Sequence, residues 1–216
     1  MSAEAIAKKE LVVLVADKDT EYAVRGILTR HQSLRIKELT HLTDYEVFSH
    51  PEHDNGCLQR AHEFLRDFTN QYHFALVLFD REGCGKDSEP CEKLESEVTE
   101  RLSANGWQDR AAVIVLDPEI ENWVWSDSSE VSAVLGWQNR EPMVREWLRD
   151  KGFWAEGAIK PPRPKEAMRL VLKTARTPIS SALFLQLAQR VSLNRCVDPA
   201  FLKLKQTLQQ WFSLEN

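Results

Sequence analysis

Cysteine is scarce in this chain of 216 residues, and the four present, Cys57, Cys84, Cys91 and Cys196, form no C-x-x-C pair. A set of His53, Cys57, Cys84 and Cys91 can be drawn as a zinc site, but its spacing fits no standard pattern, and reduced thiols are the better reading. Long apolar runs are missing too. None approaches the ~20 residues needed to cross a bilayer, which excludes a membrane-spanning helix. Residues 1–10 lack an apolar signal core and a cleavage pattern, so the expectation is a cytoplasmic protein. Neither G-x-G-x-x-G nor G-x-x-x-x-G-K-[ST] occurs, which argues against nucleotide binding through those loops. Gly83-Cys84-Gly85-Lys86 is only a flexible glycine loop.

Hydrophobic residues make up 43% of the chain, enough for one domain with a real core and an accessory segment. The net charge of −5 is unevenly spread. Residues 1–150 hold 17 Lys+Arg against 29 Asp+Glu, and residues 151–216 hold 11 against 4. An acidic front and a basic back suit a cation-binding half and a phosphate-facing half, or else a basic helix face that balances the acidic part.

Short apolar runs end repeatedly in acids. Leu11 to Ala16 runs into Asp17-Lys18-Asp19-Thr20-Glu21, Phe74 to Phe79 into Asp80-Arg81-Glu82, and Ala111 to Leu116 into Asp117-Pro118-Glu119-Ile120-Glu121. A weaker run, Tyr45 to Ser49, leads to His50-Pro51-Glu52-His53-Asp54. These read as buried strands. Apolar spacing predicts helices over 20–31, 57–72 and 90–105, with Asn55-Gly56 as a turn before the second. The β-α-β-α-β-α-β order implies a mostly parallel four-stranded sheet with helices on both faces, over residues 10–127. Residues 128–216 read as a helical, basic extension packed on that core. Lys160-Pro161-Pro162-Arg163-Pro164-Lys165 is its connecting loop, and Pro164 opens the next helix. Of the seven tryptophans, Trp123 and Trp147 read as core and Trp154, between Gly152 and Gly157, as exposed.

Parallel strands bring their carboxyl ends to one edge, where open α/β sheets bind ligands. Converging carboxylates repel one another and call for a cation. The oxygen ligands Asp17, Asp80, Glu82 and Glu121 suit Mg²⁺ or Mn²⁺, with Glu21 as a further ligand or base and Glu119 as a possible substitute for Glu121. Single acids at helix starts also serve as caps, but three clusters at three strand ends are harder to explain that way. His50, Asp54, Arg81, Lys86, Lys160, Arg163 and Lys165 are candidates for meeting substrate, the cations through its phosphates.

The strand-end acids resemble those of a Toprim domain, the metal-dependent catalytic fold of topoisomerases, primases and OLD-type nucleases. Asp17 stands at that family's Glu position and Asp80-Arg81-Glu82 at its Asp-x-Asp position, each with one departure in side-chain length. Pro118 to Trp123 is similar to the Pro-x-hydrophobic-Glu-x-Trp segment of RloB-like Toprim relatives from bacterial defence loci. Residues 41–90, 103–127 and 160–212 also resemble a small family from methylation-associated defence systems, its fourth component. This resemblance implies a nuclease or phosphodiesterase of anti-phage defence, using Mg²⁺ or Mn²⁺ on DNA or RNA beside other defence proteins, with a homo-oligomer allowed. The second expectation is a non-catalytic Toprim-like module that binds protein or nucleic acid in a defence complex. A receiver-like phosphoacceptor at Asp80 ranks last, because the lysine expected after a fifth strand is missing.

Overall fold

The computed structural model describes residues 7–214. Four strands, β1 (Lys9–Val15), β2 (Tyr45–Ser49), β3 (Tyr72–Asp80) and β4 (Ala111–Leu116), form an all-parallel sheet in the order β2-β1-β3-β4. The register pairs Val15 with Ser49 and with Leu78, and Asp80 with Leu116, so all four carboxyl ends reach one edge. Strands rich in Val, Leu and Ile need cover on both faces. Helices α1 (Lys18–Leu28) and α2 (His31–Leu34) link β1 to β2, α3 (His53–Leu65) links β2 to β3, and α4 (Cys91–Leu102) links β3 to β4.

Period-two alternation sorts the strands between two cores. Val12, Leu14, Ala75, Val77 and Phe79 pack under α3 and α4. Leu11, Val13, Leu76, Leu78 and Ile114 face α1 and the C-terminal helices. Burial of each such aliphatic side chain contributes about 1.5–3 kcal/mol.

Helix α1 begins where Asp17, in extended geometry, accepts the backbone N–H of Thr20 at 2.9 Å. Val24, Ile27 and Leu28 are its buried stripe. On the same helix Gly26 lets a neighbour close in, since a Cβ there would sit 2.7 Å from Ala188 Cβ and 2.9 Å from the Leu185 carbonyl oxygen.

Beyond β4 follow α5 (Glu121–Val124), α6 (Ser129–Val134), α7 (Val144–Asp150), α8 (Pro164–Ala175), α9 (Ala182–Arg190) and α10 (Pro199–Trp211). Their apolar faces belong to the same continuous cluster as Leu76 and Ile114, through Leu172, Leu187 and Leu208 among others. The cover on this side of the sheet is therefore shared between α1, α2 and the C-terminal segment. Among the described residues no helix is long and apolar enough to cross a membrane.

Two local expectations are corrected. Asn55-Gly56 is not a turn but lies inside α3. Gly56 is there because a Cβ would overlap the His50 ring, 2.0 Å from its Nδ1. Trp154 is not exposed: it is buried edge-on against Trp125, and its Nε1 donates to the Ala158 carbonyl at 2.9 Å. Trp123 and Trp147 pack against the core as expected.

Candidate metal centre

Strand β1 lies between β2 and β3, and the chain leaves β1 toward β2 but leaves β3 toward β4. Connections diverge at the β1/β3 seam, which is the place where an open parallel sheet forms a crevice. Asp17 follows β1 there and Asp80 ends β3. The alternation of β3 sends Asp80 toward the side of Leu76 and Leu78, the side that the C-terminal helices cover.

Asp80 meets Glu119 and Glu121. Each offers an oxygen, and the three oxygens lie within 4.8 Å of one another, with all three residues buried. An octahedral ion at about 2.1 Å holds neighbouring ligands about 3.0 Å and opposite ligands about 4.2 Å apart, so the three oxygens would draw together around it. Among the described residues this is the one cluster of acids, histidines or cysteines so placed. Backbone hydrogen bonds fix it. The Ile120 N–H donates to Asp80 Oδ1 at 2.9 Å, and the Ile120 side chain is buried in the core, so the acids on either side of it return to Asp80. The Asp80 N–H in turn donates to Asp54 Oδ1 at 2.8 Å.

From the basic segment comes Lys165, in the first turn of α8. Its N–H donates to Glu119 Oε1 at 2.9 Å, its Nζ lies 3.3 Å from Glu119 Oε2 and 3.4 Å from Glu121 Oε1. No side chain of its own segment caps α8, and Glu119 caps it from across the fold. Glu121 Oε2 remains buried without a hydrogen-bond partner. An orphaned carboxylate oxygen in such a place is costly unless something positive meets it.

Charge crowding shows in the acidities. Burial lifts Asp80 well above the usual carboxylate range, Asp54, Glu121 and Asp17 add to this, and Lys165 opposes it. Burial raises Glu121 to about 7, with Lys165 lowering and Glu119 raising it. Asp54 is raised by burial and by Asp17, against the pull of the Asp80 N–H. Asp19 is also raised by burial, although Ser181 hydrogen-bonds it and Lys165 and Arg169 draw it down. Burial acts against the Lys165 ammonium, but Glu121, Glu119 and Asp80 outweigh it and hold the charge in place.

Several expected site residues lie elsewhere. Glu21 is held on its own helix side by Lys18 at 2.6 Å and Arg25 at 3.5 Å, and it accepts from Ser49 Oγ on β2. Glu82 is exposed, and only its backbone N–H is engaged, with the Pro118 carbonyl at 3.0 Å. Asp17 stands half-buried at the rim as the cap of α1, near enough for its charge to act on Asp80 and Asp54. Asp54, expected to meet substrate, accepts the backbone N–H of Asp80 instead.

His50 is buried against Phe64 and accepts the Glu52 N–H at Nδ1, and burial lowers its pKa. Arg81 pairs with Asp117 at 2.8 Å, Lys86 with Glu97 at 2.6 Å, Lys160 with Asp198 at 2.9 Å and Arg163 with Glu166 at 2.8 Å. Of the expected cations, Lys165 alone meets the triad. Cys57 and Cys84 are buried, and burial pushes both thiols up, away from nucleophilic or zinc chemistry.

Glu119, expected only as a substitute for Glu121, stands beside it. Its signal was the Glu-Ile-Glu pattern, two acids around one apolar residue that the core retains. Arg169, exposed one helical turn beyond Lys165 and acting on Asp19, had no local signal at all. The chain matches no protein-family model, no curated protein and no solved structure.

Proposed function

We propose that the protein is a divalent-metal-dependent phosphodiesterase acting on nucleic acid, built on a Toprim-like core and working in bacterial anti-phage defence. The observation that carries the metal part is the buried Asp80, Glu119 and Glu121 triad with Glu121 Oε2 unsatisfied. All donors are carboxylate oxygens, which suit Mg²⁺ or Mn²⁺ and exclude a preference for soft metals. Asp80, Glu119 and Glu121 would hold the ion, with Asp17 and Asp54 at the rim within reach of its field. When bound, such an ion polarises a phosphoryl oxygen and lowers the pKa of water.

The chain's own groups supply the rest. Asp54 and the Ile120 N–H keep Asp80 in place. Lys165 and the exposed Arg169 put positive charge on one side of the acidic crevice, where a phosphodiester can be steadied. Nucleic acid as substrate and the defence setting rest on the Toprim and defence-family resemblance of the sequence.

A second reading is a non-catalytic module for protein or nucleic-acid partners. It is favoured by the placement of Glu21 and Glu82 outside the triad and by Lys165 already neutralising part of it. The test is cleavage of single- and double-stranded DNA, methylated and unmethylated, and of RNA, with Mg²⁺ or Mn²⁺, by the wild type, Asp80→Asn and Glu121→Gln. Metal-dependent cutting by the wild type alone is the expected result. Equal cutting by all three would place the activity elsewhere. No cutting together with no Mn²⁺ binding would overturn the enzyme and favour the module.

A further inference from the structure

The carboxylates of the triad are unequally engaged. Both oxygens of Glu119 are taken by one residue, Oε1 by the Lys165 N–H at 2.9 Å and Oε2 by its Nζ at 3.3 Å. Glu121 shares one oxygen with the same Nζ and leaves Oε2 buried and unpartnered. Asp80 commits Oδ1 to the Ile120 N–H. A divalent ion would meet Glu121 Oε2 with no competitor, but to gain Glu119 it must draw on an oxygen that Lys165 holds. It carries twice the ammonium's charge and approaches oxygen to about 2.0–2.6 Å, much closer than the ammonium does. Two cations on the same small set of buried carboxylates also repel strongly.

The lysine has an exit. Its side chain is 38% exposed, whereas Glu119 and Glu121 are 8% and 5% exposed. Its backbone is fixed at the start of α8, so the flexible stem can swing while its N–H still holds Glu119 Oε1. We propose that Lys165 is a tethered counter-ion, which holds Glu119 and Glu121 together in the metal-free protein and is displaced from them when a divalent cation binds. This rests on the metal-centre reading above and adds a built-in competitor to it. The displaced ammonium stays at the mouth of the crevice, on the side of Arg169, where a phosphate oxygen of the substrate would meet it.

The test is Mn²⁺ affinity, by calorimetry and electron paramagnetic resonance, of the metal-stripped full-length wild type, Lys165→Met and Lys165→Arg. Loss of the competing charge is expected to tighten binding by tenfold or more in Lys165→Met, while Lys165→Arg binds no more tightly than the wild type. Equal or weaker binding by Lys165→Met overturns the counter-ion and leaves the metal centre standing. Absence of binding by all three removes the metal centre itself. Should Lys165→Met fail to fold, the Lys165 side-chain NMR signal of the wild type is followed as Mg²⁺ is added. Movement toward the position of a free lysine is expected, and a signal unmoved at saturation overturns the proposal.

Discussion

Glu121 is asked to be both buried and charged. Its residue is only 4% exposed, one oxygen has no partner, and its pKa is raised to about 7 from an ordinary 4.5. A carboxyl whose folded pKa is raised binds more protons folded than unfolded between those values, so its contribution is full below about pH 4.5 and is lost as pH rises through about 7. A shift of that size corresponds to roughly 3 kcal/mol. Asp80, raised by the same burial, acts in the same direction. The metal-free protein is therefore expected to lose stability from pH 5 to pH 8, and saturating Mn²⁺ to restore it. Glu121→Gln removes the charge, so in EDTA it should flatten this slope and gain about 1–3 kcal/mol at pH 8, with Mn²⁺ binding lost. Urea unfolding across that pH range measures both. An unchanged slope in the variant would show that the cluster does not store this repulsion. The trade is the one expected where a site is built for a ligand and not for the fold.

At the scale of elements, Asp198 is the side chain that ties the basic loop to the rest. It caps α10 by accepting the N–H groups of Ala200 and Phe201, and it also accepts from Trp123 Nε1 at 2.9 Å, Asn122 Nδ2 at 2.7 Å and Lys160 Nζ at 2.9 Å. Three separate segments thus converge on one buried carboxylate, and two of its donors, Asn122 and Trp123, belong to the helix that begins with Glu121. Asp198→Ala strands several donors at once and is expected to cost about 2–4 kcal/mol, more than a lost cap alone. Thermal unfolding checks this, and a loss under 1 kcal/mol would mean that water replaces the network. None of it is visible from sequence order. What was legible is local: β2 and β4 match the expected runs residue for residue, and Asp80 and Glu121 stood out because an apolar run ends at the first and a few residues before the second. Glu21 and Glu82 misled because strand-end position does not set direction. Lys18 and Arg25, at helical spacing, turn Glu21 toward β2, and the Pro118 carbonyl fixes the backbone of Glu82 while its side chain faces solvent. Lys165 was legible as a cation for the site, but not as a partner of its acids, because only the tertiary path of α8 brings it there.

On the scale of the whole molecule, the division at residue 127 suggested by the change in pattern does not describe how apolar surface is buried. Leu76 and Ile114 of the sheet share one cluster with Leu172, Leu187, Phe201 and Leu208, and Trp211 stacks on Phe74 at 4.7 Å between ring centroids. The acidic triad and its partner are divided in the same way, with the acids before residue 122 and the lysine at 165. A sheet stripped of the C-terminal helices would keep only α1 and α2 over that apolar face and would expose the rest of it. Full-length protein is accordingly expected to unfold in one cooperative transition, with far-ultraviolet circular dichroism and tryptophan fluorescence coincident, because its helices and sheet share a single core. A fragment of residues 7–127 is expected to be insoluble or to lack a cooperative melt. A fragment that melts cooperatively and keeps Mn²⁺ affinity would show that the acidic edge folds alone and that the basic segment is an attachment. Joint folding has a functional consequence. Helix α8, part of the shared core, carries Lys165 to Glu119 and Glu121 and Arg169 to the side of Asp19, so under joint folding the acidic edge and these cations are expected to form together.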